Sequence, residues 1–337
     1  MTKGRIGKAL TALALASGLA ALAAWGFFTA VTAVFGDAIG AGYYAPAVTL
    51  CALDKDGSAG VIIAGDCRAK IDIDPAVIRE RTGLYAVNAG EIISLGGDLT
   101  TFVNSLRANP AALASHPLII LSVTLRGMND FSIENIPMAT LWNWTLADHA
   151  RVAARKPGRY LRFFTGQYLG ALRREWNHRR SGDGFACTDS VALPPTLAAA
   201  RGYRPYYGRS RVTLTADTGG WLLGGGSWRV FQSSLAWLAA SQARGILIVG
   251  APNEPAWSRA VLDDEWRGLQ AEFSGMLEHE AGRFPKVRYL DFTSTLDIGL
   301  DSAAFYDGLH LNAEGAIPYS RRLGDYLVRE FTAPESR

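Results

Sequence analysis

Residues 61–70 read VIIAGDCRAK: an apolar β-branched run, a small Ala-Gly step, an acid, a cysteine, and two basic residues flanking an alanine. The run has the length and two-faced apolarity of a strand buried between helix layers. Open α/β sheets bind ligands outside the carboxyl ends of their strands, so the Gly-Asp step would deliver Cys67 to that edge. A helix opening just beyond it would present backbone N–H groups that favour negative charge. That placement predicts a lowered thiol pKa and a thiolate nucleophile. The competing expectation is an ordinary free cysteine, which is most often a small buried hydrophobe.

Working outward, comparable runs recur at Leu84–Val87, Leu118–Leu125 (LIILSVTL), Gly245–Val249 (GILIV) and Val287–Leu290. Between them lie helical stretches. Pro75–Arg81 has Asp74 at its N-cap and Pro75 at its first position, and Leu262–Ala281 is longer. Strands alternating with helices predict an α/β domain over residues 58–330, a three-layer sandwich around a mainly parallel five-stranded sheet. From about 131 to 243 the alternation breaks down. Leu141–Arg180 reads as helical and rich in Trp, Tyr and Arg, while Leu193–Arg229 is Gly-rich and aromatic without a period. Residues 151–211 carry 13 Arg or Lys against three acids, so this stretch reads as a helical, basic insertion. Its charge is either a solvated face or a surface for anionic headgroups, an acidic polymer or a partner protein.

Upstream of the sheet domain, Lys3, Arg5 and Lys8 form a basic tail over residues 1–8, and no charge follows from Ala9 to Phe35, 27 positions. That run is long enough to span a bilayer, where about 20 apolar residues suffice. A cleaved signal peptide is the alternative, although its apolar part is usually shorter, about 7–15 residues. The basic flank keeps the N-terminus cytoplasmic and sends the rest outward. In a bacterium this gives a single-pass inner (plasma) membrane protein with a periplasmic or extracytoplasmic domain, joined to its anchor by a linker over 36–57. The formal net charge of the whole chain is only +3, which argues against a nucleic-acid binder. The three cysteines would then sit where disulfides form. Cys51 with Cys187 is the expected pair, leaving Cys67 free.

Two further stretches belong with Cys67. RGMND at 126–130 follows the strongest strand and puts Gly127 and Asn129 at the same carboxyl edge. An Asn amide donates well to an oxyanion, and a glycine lets its backbone N–H come close. A Gly-Asn turn that merely ends a strand is the plainer alternative. Near the C-terminus, FYDGLHLNAEG at 305–315 sets Asp307 three residues before His310, close enough for the carboxylate to hold the imidazole in one tautomer as a general base. His116, His149, His178 and His279 read as surface or structural. No zinc-ligand spacing or phosphate-binding glycine loop is present, so neither a metal nor a cofactor is expected; GGDL at 96–99 and GGGS at 224–227 are weak matches.

The order AGDC (64–67), GMND (127–130), DGLH (307–310) resembles the SGNH or GDSL hydrolase superfamily. The resemblance implies a flavodoxin-like sheet, Cys67 as nucleophile, His310 as base and Asp307 as the acid orienting it. Asn129, the Cys67 N–H and a second-block glycine would form the oxyanion hole. That glycine lies within VNAGEIISLGGD (87–98), where Gly90, Gly96 and Gly97 are all candidates. The family's nucleophile is a serine, so Cys67 is a departure: a working thiol nucleophile, a relic of lost catalysis, or a substitution that traps an intermediate. With the anchor and the basic insertion, the chain is similar to bacterial envelope proteins that acylate polymers, such as alginate and cellulose O-acetylation enzymes and DltD-type proteins. The resemblance implies an acyl donor, a polysaccharide or envelope glycan acceptor and a membrane-bound O-acyltransferase partner. Hydrolysis by a carbohydrate esterase, an inactive glycan-binding protein and a redox-sensing thiol are the alternatives.

Overall fold

A computed structural model describes residues 26, 50, 54, 58–90, 99–128, 145–163, 196, 199–210, 223–261, 264–293 and 298–332. The expected anchor (all but Gly26), most of the linker, and Cys51, Cys187, His178, Gly96, Gly97 and Asn129 lie outside the described residues. Among the described residues no helix is long and apolar enough to cross a membrane.

The elements run β1 (Val61–Gly65), α1 (Cys67–Asp72), α2 (Pro75–Thr82), β2 (Ala86–Asn88), α3 (Leu99–Ala108), β3 (Leu118–Val123), α4 (Leu146–Arg155), α5 (Pro157–Phe163), α6 (Gly226–Ala240), β4 (Gly245–Gly250), α7 (Pro255–Val261), α8 (Asp264–Gly282), β5 (Val287–Asp291) and α9 (Ala313–Leu327). The five strands form one parallel sheet in the order β2-β1-β3-β4-β5. The expected strands all pair, with shifted ends. β1 runs one residue past its expected end, to Gly65, and β3 stops two residues before its expected end, because Thr124 leaves the ladder to bond Asp66 and residues Leu125–Met128 coil into a 3-10 turn.

Alternate side chains of the strands feed two separate cores. Ile62, Ala64, Ile119, Leu121, Ile246 and Ile248 face one side and pack with residues of α3, α6 and α8. Val61, Ile63, Leu118, Ile120, Leu247 and Val249 face the other and pack with α1, α2 and α9. Each fully buried aliphatic side chain contributes roughly 1.5–3 kcal/mol, so a sheet with both faces covered is a stiff platform for the loops at its carboxyl edge. Helix α6 falls inside the stretch assigned to an insertion, yet Trp228, Phe231, Leu235 and Leu238 are all buried in the first core. Residues 226–240 are therefore a layer of the sheet domain.

The caps follow the sequence. Asp74 accepts the Ala76 N–H at 2.7 Å and Pro75 opens α2, which ends on Gly83 in the left-handed region. Thr145 and Asp148 form a reciprocal capping box at α4. Helix α9 returns to α2, where Ser320 Oγ accepts the Asp74 N–H at 2.8 Å and Arg81 reaches Asp325 at 2.7 Å. This docking brings residues 305–312 over the end of β1.

Candidate active site

The turn after β1 is built to deliver Cys67. Gly65 holds a φ of +133°, and a Cβ there would run into the Ser122 carbonyl oxygen of the neighbouring strand. Only glycine permits both the backbone and the approach. Asp66 then caps α1, taking the Arg68 N–H at 3.0 Å and the Thr124 hydroxyl at 3.0 Å. Cys67 is the first residue of the helix, so its N–H has no intrahelical acceptor. It is a free, half-buried thiol.

The loop from the other end of the chain meets it. A bridge between Phe305 and Leu311, with Tyr306 N–H donating to the His310 carbonyl at 2.9 Å, closes that loop on itself. Inside it Asp307 Oδ1 accepts the N–H groups of Leu309 and His310, both at 2.8 Å. Gly308 lies flat under Trp257, leaving no room for a side chain. Asp307 Oδ2 stands 2.9 Å from His310 Nδ1, and His310 Nε2 stands 3.1 Å from Cys67 Sγ. The carboxylate assigns the Nδ1 proton to its own side, which leaves the Nε2 lone pair for the thiol. Cys67, His310 and Asp307, predicted from the sequence, are thus brought together in a line.

The electrostatics depart from the sequence expectation. Burial pushes the Cys67 thiol up, and the Asp66 carboxylate beside it adds to the rise; the bond to His310 pulls the other way without cancelling it. The helix N-terminus therefore does not yield a standing thiolate, because the sulfur is buried there and a buried acid lies beside it. Burial works to lower His310, but its bonds to Asp307 and Cys67 outweigh that and raise it. The Cys67 share of this lift requires a charged sulfur, so the two groups titrate as a pair. Burial also works to raise Asp307, while its bond to His310 and the two backbone N–H groups hold it below the carboxylate range. The arrangement suits a thiol that surrenders its proton to His310 as it attacks.

The expected oxyanion donors fare differently. Gly90 donates its N–H to Asn88 Oδ1 at 2.9 Å and is packed against α1, so that amide is already engaged. Gly127 spends its N–H on the Thr124 carbonyl at 3.1 Å. Asn129 and Gly97 fall outside the described residues. His116 bonds the Gln242 carbonyl and His149 the Tyr160 hydroxyl, while His279 is exposed on α8. Among the described residues no group of acids, cysteines and histidines is placed to hold a metal ion.

The sequence reading missed several residues around the thiol. Asp66 and Thr124 brace the turn, and Arg68 and Asp72 lie buried beneath it. Tyr206, from the aromatic stretch RGYRPYYGRS, sets its ring edge-on to His310, with centroids 5.8 Å apart and planes at 75°. Tyr306 packs on Tyr206 at 4.5 Å. The strap carrying Tyr206 is tied down by main-chain bonds: Asn88 N–H to Arg201 O, Arg204 N–H to Lys70 O, Ala313 N–H to Tyr206 O and Ser210 N–H to Tyr306 O.

No family model matches the chain, and no curated protein matches it. Among solved structures it is similar to one described as "the structure of a putative platelet activating factor from Streptococcus pneumonia", at 14% identity and a TM-score of 0.37 over 83% of this chain and 89% of that one.

Proposed function

We propose that this protein is an acyl-transfer enzyme of the SGNH type, working through Cys67, His310 and Asp307 on a flavodoxin-like sheet. The observation that carries the reading is the line Asp307 Oδ2, His310, Cys67 Sγ, with contacts of 2.9 and 3.1 Å. The parallel order β2-β1-β3-β4-β5 supports it, because that order reverses at β1 and β3, beside which Cys67 stands.

Cys67 Sγ attacks the acyl carbonyl of the donor while His310 Nε2 takes the thiol proton. The leaving group departs with that proton and a thioester remains. A hydroxyl of the acceptor then loses its proton to His310 and attacks the thioester, the C–S bond breaks, and His310 returns the proton to the Cys67 sulfur. The developing oxyanion falls to the Cys67 N–H, with Asn129 and Gly97 as further donors. The acceptor is a cell-envelope or exopolysaccharide hydroxyl, and the uncharged run at 9–35 tethers the domain to the outer face of a bacterial plasma membrane beside a membrane-bound O-acyltransferase.

Hydrolysis is the second reading. The half-buried thiol and the 15% and 10% exposure of the His310 and Asp307 side chains leave a path for water. The raised thiol counts against a redox sensor, which needs a readily formed thiolate.

The test is to treat the full chain with a small activated acetyl ester and follow intact mass and peptide maps. An adduct on Cys67, absent in Cys67→Ala and discharged faster by an oligosaccharide than by water, supports transfer. Discharge at the same rate with and without the saccharide supports an esterase. No adduct at all leaves a glycan-binding protein.

A further inference from the structure

Beneath the nucleophile lies a charged pair that the chemistry above does not use. Arg68 and Asp72, four residues apart on α1, are 5% and 0% exposed. Arg68 Nε stands 3.6 Å from Asp72 Oδ2, and neither atom has a hydrogen-bond partner among the described residues. For stability alone a buried pair in such geometry is a poor choice, since apolar side chains of similar volume do as well or better.

Asp72 reaches the loop that carries His310 directly, and Arg68 reaches the segment that leans on it. Asp72 Oδ1 accepts the N–H of Leu311, the next residue, at 2.8 Å. Arg68 donates to Asn253 Oδ1 at 3.1 Å and to the Pro252 carbonyl. The following residue, Glu254, donates its N–H to the Gly308 carbonyl at 3.1 Å. His310 is thereby flanked by Leu311, held directly by Asp72, and by Gly308, held by the Glu254 N–H next to the residues that Arg68 grips.

We propose that Arg68 and Asp72 are positioning residues that set the contact between Cys67 and His310, binding the nucleophile helix and the base loop into one rigid unit. The proposal rests on the assignment of Cys67 and His310 as nucleophile and base. The titratable groups facing the pair are Asp66 and Cys67 on its own turn, His310 from the loop, Tyr203 from the strap and Tyr319 from α9.

The test is a double-mutant cycle on the full chain, read as the pH dependence of Cys67 alkylation by iodoacetamide. With Asp72 present, His310→Ala moves the inflection up by about one unit, a tenfold slowing below it. In an Asp72→Ala background the same replacement has no effect, because the imidazole no longer meets the sulfur. Asp72→Asn keeps an acceptor for Leu311 and removes the charge, so there the inflection falls while the His310 effect survives. Removing one member of a buried pair leaves the other unpaired. Asn253→Ala, which loosens the Arg68 grip without orphaning a charge, therefore serves as the second variant and diminishes the His310 effect. An undiminished His310 effect in both Asp72→Ala and Asn253→Ala overturns the proposal. If the unmodified chain fails to take up an acetyl group while the cycle behaves as stated, the enzymatic reading falls and the positioning role stands.

Discussion

His310 Nε2 lies 3.1 Å from Cys67 Sγ across 243 residues of sequence. The proposed role of His310 as base requires these two atoms to stay in reach, and each is fixed by a different part of the chain. Replacing His310 with alanine should lower the rate of Cys67 acylation about 10²–10⁴-fold, the range that a positioned base supplies. Intact-mass kinetics with an activated acetyl ester check this, and a loss below tenfold would remove His310 from the mechanism.

Asp307 holds the imidazole through Nδ1 at 2.9 Å while also accepting two backbone N–H groups. Asp307→Asn keeps an oxygen for the backbone but no longer fixes the tautomer, so acylation should fall by up to about 10⁴-fold. The His310 pKa should fall with it, read by NMR titration of the ring.

The thiol is raised by burial and by Asp66, so its alkylation should lag that of an exposed cysteine at pH 8 and rise only on the alkaline side. His310 opposes the rise, so His310→Ala should displace the curve further up. The sign for stability follows: the folded state holds the thiol proton longer than the unfolded chain, so stability from this group is lost as pH climbs through the thiol range. Urea midpoints compared between the native chain and Cys67→Ala should diverge above neutrality.

Gly65 sits at a φ of +133° against the Ser122 carbonyl. Gly65→Ala should cost more than about 1 kcal/mol, since a side chain there is strained and crowded. A stability loss accompanied by slower acylation of the surviving folded fraction would show that the turn aims the thiol as well as closing the strand.

Tyr206 meets His310 edge-on. Such a pair is worth about 0.5–1.5 kcal/mol, so Tyr206→Ala should slow acylation by no more than about tenfold. Its carbonyl still accepts from Ala313, so the strap stays in place, and a far larger loss would mean a more direct role for the ring.

The sheet was legible because its strands are apolar on both faces and so stand out from their neighbours. The Asp74-Pro75 cap was equally plain, because both signals act within one turn. Arg68 and Asp72 were hidden for the opposite reason. In CRAKID two basic residues and an acid read as a solvated turn, and only the return of residues 252–253 and 311 buries them. Helix α6 was masked by the glycines before it, although Trp228, Phe231, Leu235 and Leu238 already mark one helical face. The thiol's direction of shift was misread because the helix terminus was weighed without the burial of the sulfur, the larger cause, and without the Asp66 carboxylate beside it.

The strap over residues 199–210 is fastened by peptide groups, which every amino acid other than proline supplies alike. The side chains of Arg204, Tyr207 and Arg209 are exposed, Tyr207 by 75%, and none of those four fastenings uses them. Arg204 and Tyr207 can therefore vary without loosening the strap, while Arg209 also acts on Glu254. A library randomised at Arg204 and Tyr207 should leave the strap fastened beside His310, so the surface there can be varied without disturbing the line of Asp307, His310 and Cys67.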